Sequence, residues 1–293
     1  MTAHASREDP LTTPTSPLLP AANDPSPPPF GALAPTPAQA AVIALAQRTR
    51  LKRGAFRPWL SRLVNLLRAG PLDVRYQGAA FRFYHQASAT ERGALFNPDY
   101  NLEELDFLRA HVPRGGAFVD VGANVGTYAL ALAQHVGETG RVIAIEPHPI
   151  THARLAFNRA ASGYQQVSLV AAAAGAADGE LMIETDGGNL GASHIVSGKP
   201  ERNAIKVKAL RLQRILDDAG VAHVDALKID VEGYEDRVLT GFFKEAPRSL
   251  WPRAVVIEHL EQDQWLADCI ADMRTRGYSE AGKTRSNTLL LLA

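Results

Sequence analysis

From residue 117 onward the chain alternates short apolar runs with helical patterns, and that alternation restricts it to one fold class. The runs are 117-AFVDVG-122, 141-RVIAIEP-147, 166-QVSLVAA-172, 225-DALKIDV-231 and 254-AVVIEHL-260. Each is nearly continuous in apolar residues, the pattern of a parallel strand buried on both faces. Helical patterns fill the gaps at 125–136, 149–161 and 235–243. Trp265, Leu266, Cys269, Ile270 and Met273 form a helical stripe before a last strand at 288–292. Strand and helix in this order mean an α/β fold with a Rossmann-like, doubly wound, mainly parallel sheet. One interruption reads as a hairpin, 180–185 paired with 204–210.

The chain before residue 117 has a different character. Residues 1–40 hold ten of the 19 prolines. Proline disfavours helix at the preceding residue, and so few large apolar side chains cannot offset the entropy of ordering. The segment reads as a disordered Pro-rich tail. Residues 41–112 read as an N-terminal extension of helix and hairpin, and 113–293 as the main domain. Residues 41–70 carry seven basic side chains and no acid. Leu60, Leu63, Val64 and Leu67 follow helical spacing behind Pro58, which suits a first turn. A basic amphipathic helix fits a membrane surface or a partner. It equally fits a helix packed on the core with its basic face in water, and the short, mixed stretch favours that reading. The stretch 72–85 alternates about Gly78 as a hairpin, and Leu102, Leu105, Leu108 and Val112 mark a helix closed by Pro113.

Composition narrows the function classes. Thirty-one Lys and Arg balance 31 Asp and Glu, which argues against a general nucleic-acid binder. The single cysteine, Cys269, excludes an internal disulfide, and a thiolate metal site is not expected. His148, His152 and His194 are too scattered for a zinc site; Asp230 and Glu258 offer hard oxygen ligands of the kind that hold Mg²⁺ and acidify a hydroxyl, but no dedicated ligand spacing is visible, and no metal is expected. No apolar run approaches the ~18 residues of a membrane span. The first 20 residues lack an apolar signal core, and the cytoplasm is the expected location.

The first strand runs through 120-DVGANVG-126 straight into a helix. Gly122 and Gly126 permit a tight turn and close approach of a ligand to backbone. The helix start supplies free N–H groups and a positive dipole end. Glu146 closes the second strand, 24 residues after Gly122. An acid so placed accepts hydrogen bonds from both ribose hydroxyls of a nucleoside cofactor. The dinucleotide form G-x-G-x-x-G is absent, and Asn124 stands where a middle glycine is usual.

The loop resembles motif I of the S-adenosylmethionine-dependent methyltransferases. Three stretches, 118-FVDVGANVGTYAL-130, 143-IAIEPHP-149 and 227-LKIDVEGYE-235, with 186-DGGNLGASHI-195 between them, resemble the FkbM-type methyltransferases in particular. The resemblance covers about residues 100–260. It implies S-adenosyl-L-methionine as cofactor and an antiparallel last strand, as in the class I methyltransferases. It also implies O-methylation of a sugar, glycan or polyketide-type natural product. The cofactor set it implies is Asp120, Gly122, Asn124, Gly126, Glu146 and Pro147, with Ala173 and Ala174 beside the adenine.

In a doubly wound sheet, ligands bind outside the carboxyl ends of the strands at the switch point. Asp120 and Asp230 close the two strands expected to flank that crevice. Asp230 is the first candidate general base for a hydroxyl acceptor and His259 the second, with Glu258 orienting the acceptor hydroxyl or the histidine. Glu232 and Ser193 are candidate substrate contacts. Asp230 and Glu232 equally suit the start of the helix near Tyr234. Lys228, inside an apolar strand, needs an acidic partner, and Glu232 and Glu258 are the candidates. The alternatives are a nicotinamide-dependent oxidoreductase and a noncatalytic binding protein on a methyltransferase fold. The expected partner is a small-molecule or glycan acceptor, with no nucleic acid. The sequence does not give the oligomeric state.

Overall fold

The computed structural model describes residues 27–185, 193–195 and 204–293. The chain opens with α1 (Pro37–Arg48) and α2 (Arg57–Leu67), followed by the hairpin β1 (Leu72–Tyr76) and β2 (Ala79–Phe83). Then come α3 (Ala89–Phe96), α4 (Leu102–His111), β3 (Ala117–Val121), α5 (Thr127–Val136), β4 (Arg141–Ile145), α6 (Pro149–Ser162) and β5 (Val167–Val170). A small second sheet follows, of β6 (Ala173–Gly175), β7 (Gly179–Thr185), β8 (Ser193–Ile195) and β9 (Ile205–Arg211). The chain finishes with α7 (Leu212–Asp218), β10 (Ala226–Ile229), α8 (Glu235–Glu245), β11 (Ala254–Glu258), α9 (Cys269–Thr275), β12 (Tyr278–Lys283) and β13 (Asn287–Leu292).

The main sheet has seven strands in the order β12-β13-β11-β10-β3-β4-β5. β5, β4, β3, β10 and β11 run parallel, while β13 lies antiparallel between β11 and β12. The expected doubly wound sheet with an antiparallel last strand is therefore present. Side chains alternate across it with the strand period of two. Phe118, Val142, Ala144 and Val256 point into one buried layer, with Leu130 and Leu132 of α5. Val119, Val121, Ile143, Ile145, Ile229 and Ile257 point into the other, with Val238, Leu239 and Phe242 of α8. Topology reverses between β3 and β10, so the switch point falls at their carboxyl ends.

The N-terminal elements share the first layer. Ile43, Leu60, Phe81, Phe83 and Phe96 are buried in the same cluster as Phe118. The tail expected over 1–40 therefore needs correction from residue 27 onward, while residues 1–26 lie outside the described residues. Thr36 and Gln39 form a reciprocal capping box at the start of α1, with Pro37 in its first turn, and these signals outweigh the nearby prolines. Asp73 accepts hydrogen bonds from the N–H groups of Gly31 (2.8 Å) and Leu33 (3.0 Å) and pairs with buried Arg82 at 2.7 Å. The stripe expected from Trp265 is also shorter than its spacing suggests. Asp268 caps α9 by accepting from the Ala271 N–H, so the helix starts at Cys269. Trp265 instead donates its ring N–H to Glu235 at 2.8 Å.

Candidate functional site

A cleft of about 970 Å³, counting its open mouth, lies at the carboxyl ends of β3, β4 and β10. Its floor is the turn from β3 into α5. Gly122 and Ala123 both donate N–H bonds to the Ile145 carbonyl, at 3.0 and 2.9 Å. Gly122 sits at φ +77°, and a Cβ there would come within 1.9 Å of the Asp230 carbonyl oxygen. Two strand tips can pass this closely only over a glycine. Asn124 lies at φ +52°, and asparagine is among the side chains that tolerate this region best. Asn124 thus takes up a left-handed backbone of the kind that glycine adopts freely.

Glu146 holds this turn from the neighbouring strand. Its carboxylate accepts the Asn124 N–H at 2.9 Å on one oxygen and the His148 N–H at 2.9 Å on the other. Each oxygen keeps a second lone pair, and the residue lines the cleft. Burial pushes its pKa up to about 7 against those two backbone bonds. Pro147, Ala173, Ala174, Ile145 and Ile183 form the apolar wall beside it.

Asp120 does not line the cleft; it is fully buried beneath the turn. One oxygen accepts the Ala129 N–H at 3.0 Å, inside the first turn of α5, and the other has no hydrogen-bond partner. Burial raises its pKa to about 6, against the pull of Lys228. Lys228 corrects an expectation: its partners are neither Glu232 nor Glu258. β3 and β10 run in parallel register with Lys228 opposite Asp120. The ammonium stands 3.6 Å from Asp120 and 3.5 Å from Asp230, and donates to the Gly122 carbonyl at 2.8 Å. Burial alone would lower its pKa, but Asp230 and Asp120 together raise it. Lys228 also lines the cleft, although the sequence marked it only as a strand residue in need of a partner.

Asp230 lines the cleft, and its side chain is 37 % exposed. Glu146 and Asp230 are the carboxylates among the lining residues. The other candidates stand back. Gly126 turns into α5 at φ +95°. Glu258 is buried at the tip of β11, with one oxygen on the Leu260 N–H at 2.6 Å and the other without a hydrogen-bond partner. Burial, then the charge of Asp230, raises its pKa to about 7. His259 places Nδ1 3.0 Å from the Thr288 hydroxyl. Glu232 follows Asp230 at φ +53°. Burial, then Asp230 and Glu258, pushes its pKa up to about 8. Asp230, Glu235 and Glu258 each offer an oxygen within 4.8 Å of the others. Ser193 pairs with Thr185 through the strand backbone, while Asn189 and Gly191 lie outside the described residues. Sequence reasoning missed the far wall. Thr90, Tyr100 and Asn101 from the extension, Ser286 from the β12–β13 turn and Asn287 at the start of β13 complete the cleft. No local motif marks them.

Residues 120–279 match the Methyltransferase FkbM domain family. The 31-O-demethyl-FK506 methyltransferase FkbM of Streptomyces tacrolimicus is 31 % identical over 197 residues, covering 56 % of this chain and 73 % of that protein. Among solved structures, an rRNA methylase from Streptococcus thermophilus aligns with a TM-score of 0.39 and 11 % identity, covering 65 % of this chain and 95 % of that one. A methyltransferase from Geobacter sulfurreducens aligns with a TM-score of 0.41 and 15 % identity, covering 67 % of this chain and 79 % of that one. The oxidoreductase alternative lapses with the family match, and the chain belongs to the FkbM family of S-adenosylmethionine-dependent methyltransferases.

Proposed function

We infer that the cleft binds S-adenosylmethionine and that the protein methylates a hydroxyl of a neutral, hydroxyl-rich acceptor, a sugar, glycan or polyketide-type product. The observation carrying this reading is that Glu146 and Asp230 line one cleft on either side of the Gly122–Asn124 turn. The donor set suits the cofactor. The free lone pairs of Glu146 would accept the ribose hydroxyls, Pro147, Ala173 and Ala174 would hold the adenine, and the first-turn N–H groups of α5 would serve the carboxylate end. Asp120, with Lys228, holds that turn in place from below rather than touching the ligand.

When bound, S-adenosylmethionine supplies a methyl group made electrophilic by the sulfonium. Asp230, on the cleft wall, would take the proton of the acceptor hydroxyl. Positioning the acceptor hydroxyl in the cleft would contribute about 7–11 kcal/mol, and proton removal about 10²–10⁴-fold. His259 is engaged with Thr288 and Glu258 with Leu260, so we assign them to orienting the strand tips. Glu232, two residues beyond Asp230, and Ser193 on β8 are not among the lining residues, and we assign them no contact with the acceptor. The far wall offers hydroxyl and amide groups from Thr90, Tyr100, Asn101, Ser286 and Asn287, and Lys228 is the one cation among the lining residues. Such a wall suits a neutral polyol better than a phosphate-rich polymer. The S. tacrolimicus relative is named as a methyltransferase of 31-O-demethyl-FK506.

Isotope-labelled S-adenosylmethionine offered with a panel of hydroxylated acceptors, read by mass, tests the proposal. Asp230→Asn is expected to lower turnover by about 10²–10⁴-fold while S-adenosylhomocysteine still binds. Near-wild-type turnover would remove Asp230 as the base.

A further inference from the structure

Seven large apolar side chains are exposed among the described residues, and five of them lie between positions 45 and 67: Leu45, Phe56, Trp59, Leu66 and Leu67. Such residues scattered singly need no explanation, but a cluster does. On α2 the inward face is Leu60, Ser61 and Val64. Trp59, Arg62 and Leu66, spaced i, i+3 and i+7, make one outward stripe. Trp59 is 59 % exposed and Leu66 83 %. This is more than the solvated basic face the sequence favours for the helix.

Charge on the same stretch is one-sided. No Asp or Glu occurs between Asp24 and Asp73, while Arg48, Arg50, Lys52, Arg53, Arg57, Arg62 and Arg68 fall inside. Lys52 pairs with Asp99, Arg57 donates to the Lys52 carbonyl, and Arg68 donates to the Leu33 carbonyl. Arg48, Arg50, Arg53 and Arg62 are exposed, and the acids of the described residues make their ion pairs with other cations. A tryptophan, exposed leucines and unpaired arginines along α1, α2 and the turns between them match what an interfacial helix presents to lipid.

We propose that residues 45–67 form a docking surface for an anionic membrane. Basic side chains near the surface meet the lipid phosphates, and Trp59 and Leu66 enter the boundary between headgroup and acyl chain. Other occupants leave half of these features unexplained. A two-fold pair of this patch would set basic charge against itself, with no acid in the patch to answer it. A nucleic acid would satisfy the arginines and leave Trp59 and Leu66 in water. Residues 1–26 carry only Glu8, Asp9 and Asp24 as acids, too few to cover the patch by charge.

The test is co-sedimentation of the full chain with vesicles of phosphatidylcholine alone and of phosphatidylcholine mixed with phosphatidylglycerol. Partitioning is expected to be at least about tenfold stronger on the anionic vesicles and to weaken with salt. A blue shift of tryptophan emission on binding is expected to disappear in Trp59→Phe, leaving Trp251 and Trp265 unchanged. Two surface variants, Trp59→Ser with Leu66→Ser, and Arg48→Gln with Arg50→Gln, Arg53→Gln and Arg62→Gln, are each expected to lower partitioning by about tenfold or more. Retained S-adenosylhomocysteine binding in both variants excludes misfolding. Equal binding to both vesicle types, or full binding by either variant, overturns the proposal. So does a dimer at sedimentation equilibrium that Trp59→Ser with Leu66→Ser dissociates, or salt-sensitive RNA binding without vesicle binding.

Discussion

Glu146 carries the sharpest consequence at the scale of single residues. Its pKa is raised to about 7, first by burial and against two backbone hydrogen bonds. A protonated carboxyl has one oxygen fewer to offer a ribose diol, so the ligand selects the ionised form. Cofactor affinity should therefore rise as pH increases from about 6 to 8 and then level, with a proton released on binding. Calorimetry of S-adenosylhomocysteine binding in two buffers of different ionisation enthalpy measures that proton. A pH-independent affinity with no proton release would separate Glu146 from the ribose. Glu146→Ala should weaken binding about 10- to 100-fold, because a hydrogen bond to a charged group contributes about 1.5–3 kcal/mol. The acid was legible from its spacing after Gly122. Its second task, fastening Asn124 and His148 through their N–H groups, was not, because it depends on how two strand tips stack.

The elements were legible to different depths for physical reasons. The five parallel strands and their helices announced themselves because burial on both faces leaves unbroken apolar runs. The hairpin at Gly78 was legible too, and Gln77 and Gly78 both sit at positive φ, the backbone of a tight two-residue turn. Helix α1 was missed although Thr36, Pro37 and Gln39 spell its start. Helix α3 was also missed, although Ser88 caps it by accepting from Glu91. In both, local capping outweighs a composition that reads as loop. The partner of Lys228 could not be read at all, since it follows from β3 and β10 becoming neighbours in a particular register. That pairing makes the β3–β10 seam sensitive. Lys228→Met should leave buried Asp120 without its cation and release the Gly122 carbonyl, costing about 3–5 kcal/mol of stability. Chemical denaturation measures the loss, and Lys228→Met combined with Asp120→Asn should recover part of it. An additive double mutant would show that the two side chains act independently.

Across the whole molecule, a formal charge of zero conceals a segregation. Cations gather on residues 41–70, while acids crowd the carboxyl ends of β10 and β11. Burial leads the upward pKa shifts of Asp120 to about 6, Glu146 and Glu258 to about 7, and Glu232 to about 8. The folded chain therefore holds protons that the unfolded chain has already released, and this part of its stability falls as pH rises from about 5 to 8. Asp73 acts in the opposite direction. Burial alone would raise its pKa, but Arg82 and the backbone N–H groups of Leu33 and Gly31 hold it below the usual range. Its contribution is lost only as pH falls through that lowered value. The two trends place the stability maximum on the acid side of neutrality. Glu258→Gln isolates the crowding, because the amide oxygen still accepts the Leu260 N–H while the charge beside Asp230 is gone. The variant should gain about 1–3 kcal/mol over wild type at pH 8 and little at pH 5, read by thermal or chemical unfolding at both values. An equal gain at the two pH values would mean that packing, not charge, strains this end of the sheet. A sulfonium bound in the cleft brings positive charge to the same place, so the stabilisation by S-adenosylmethionine over that by its uncharged product should also grow with pH, and should shrink in Glu258→Gln.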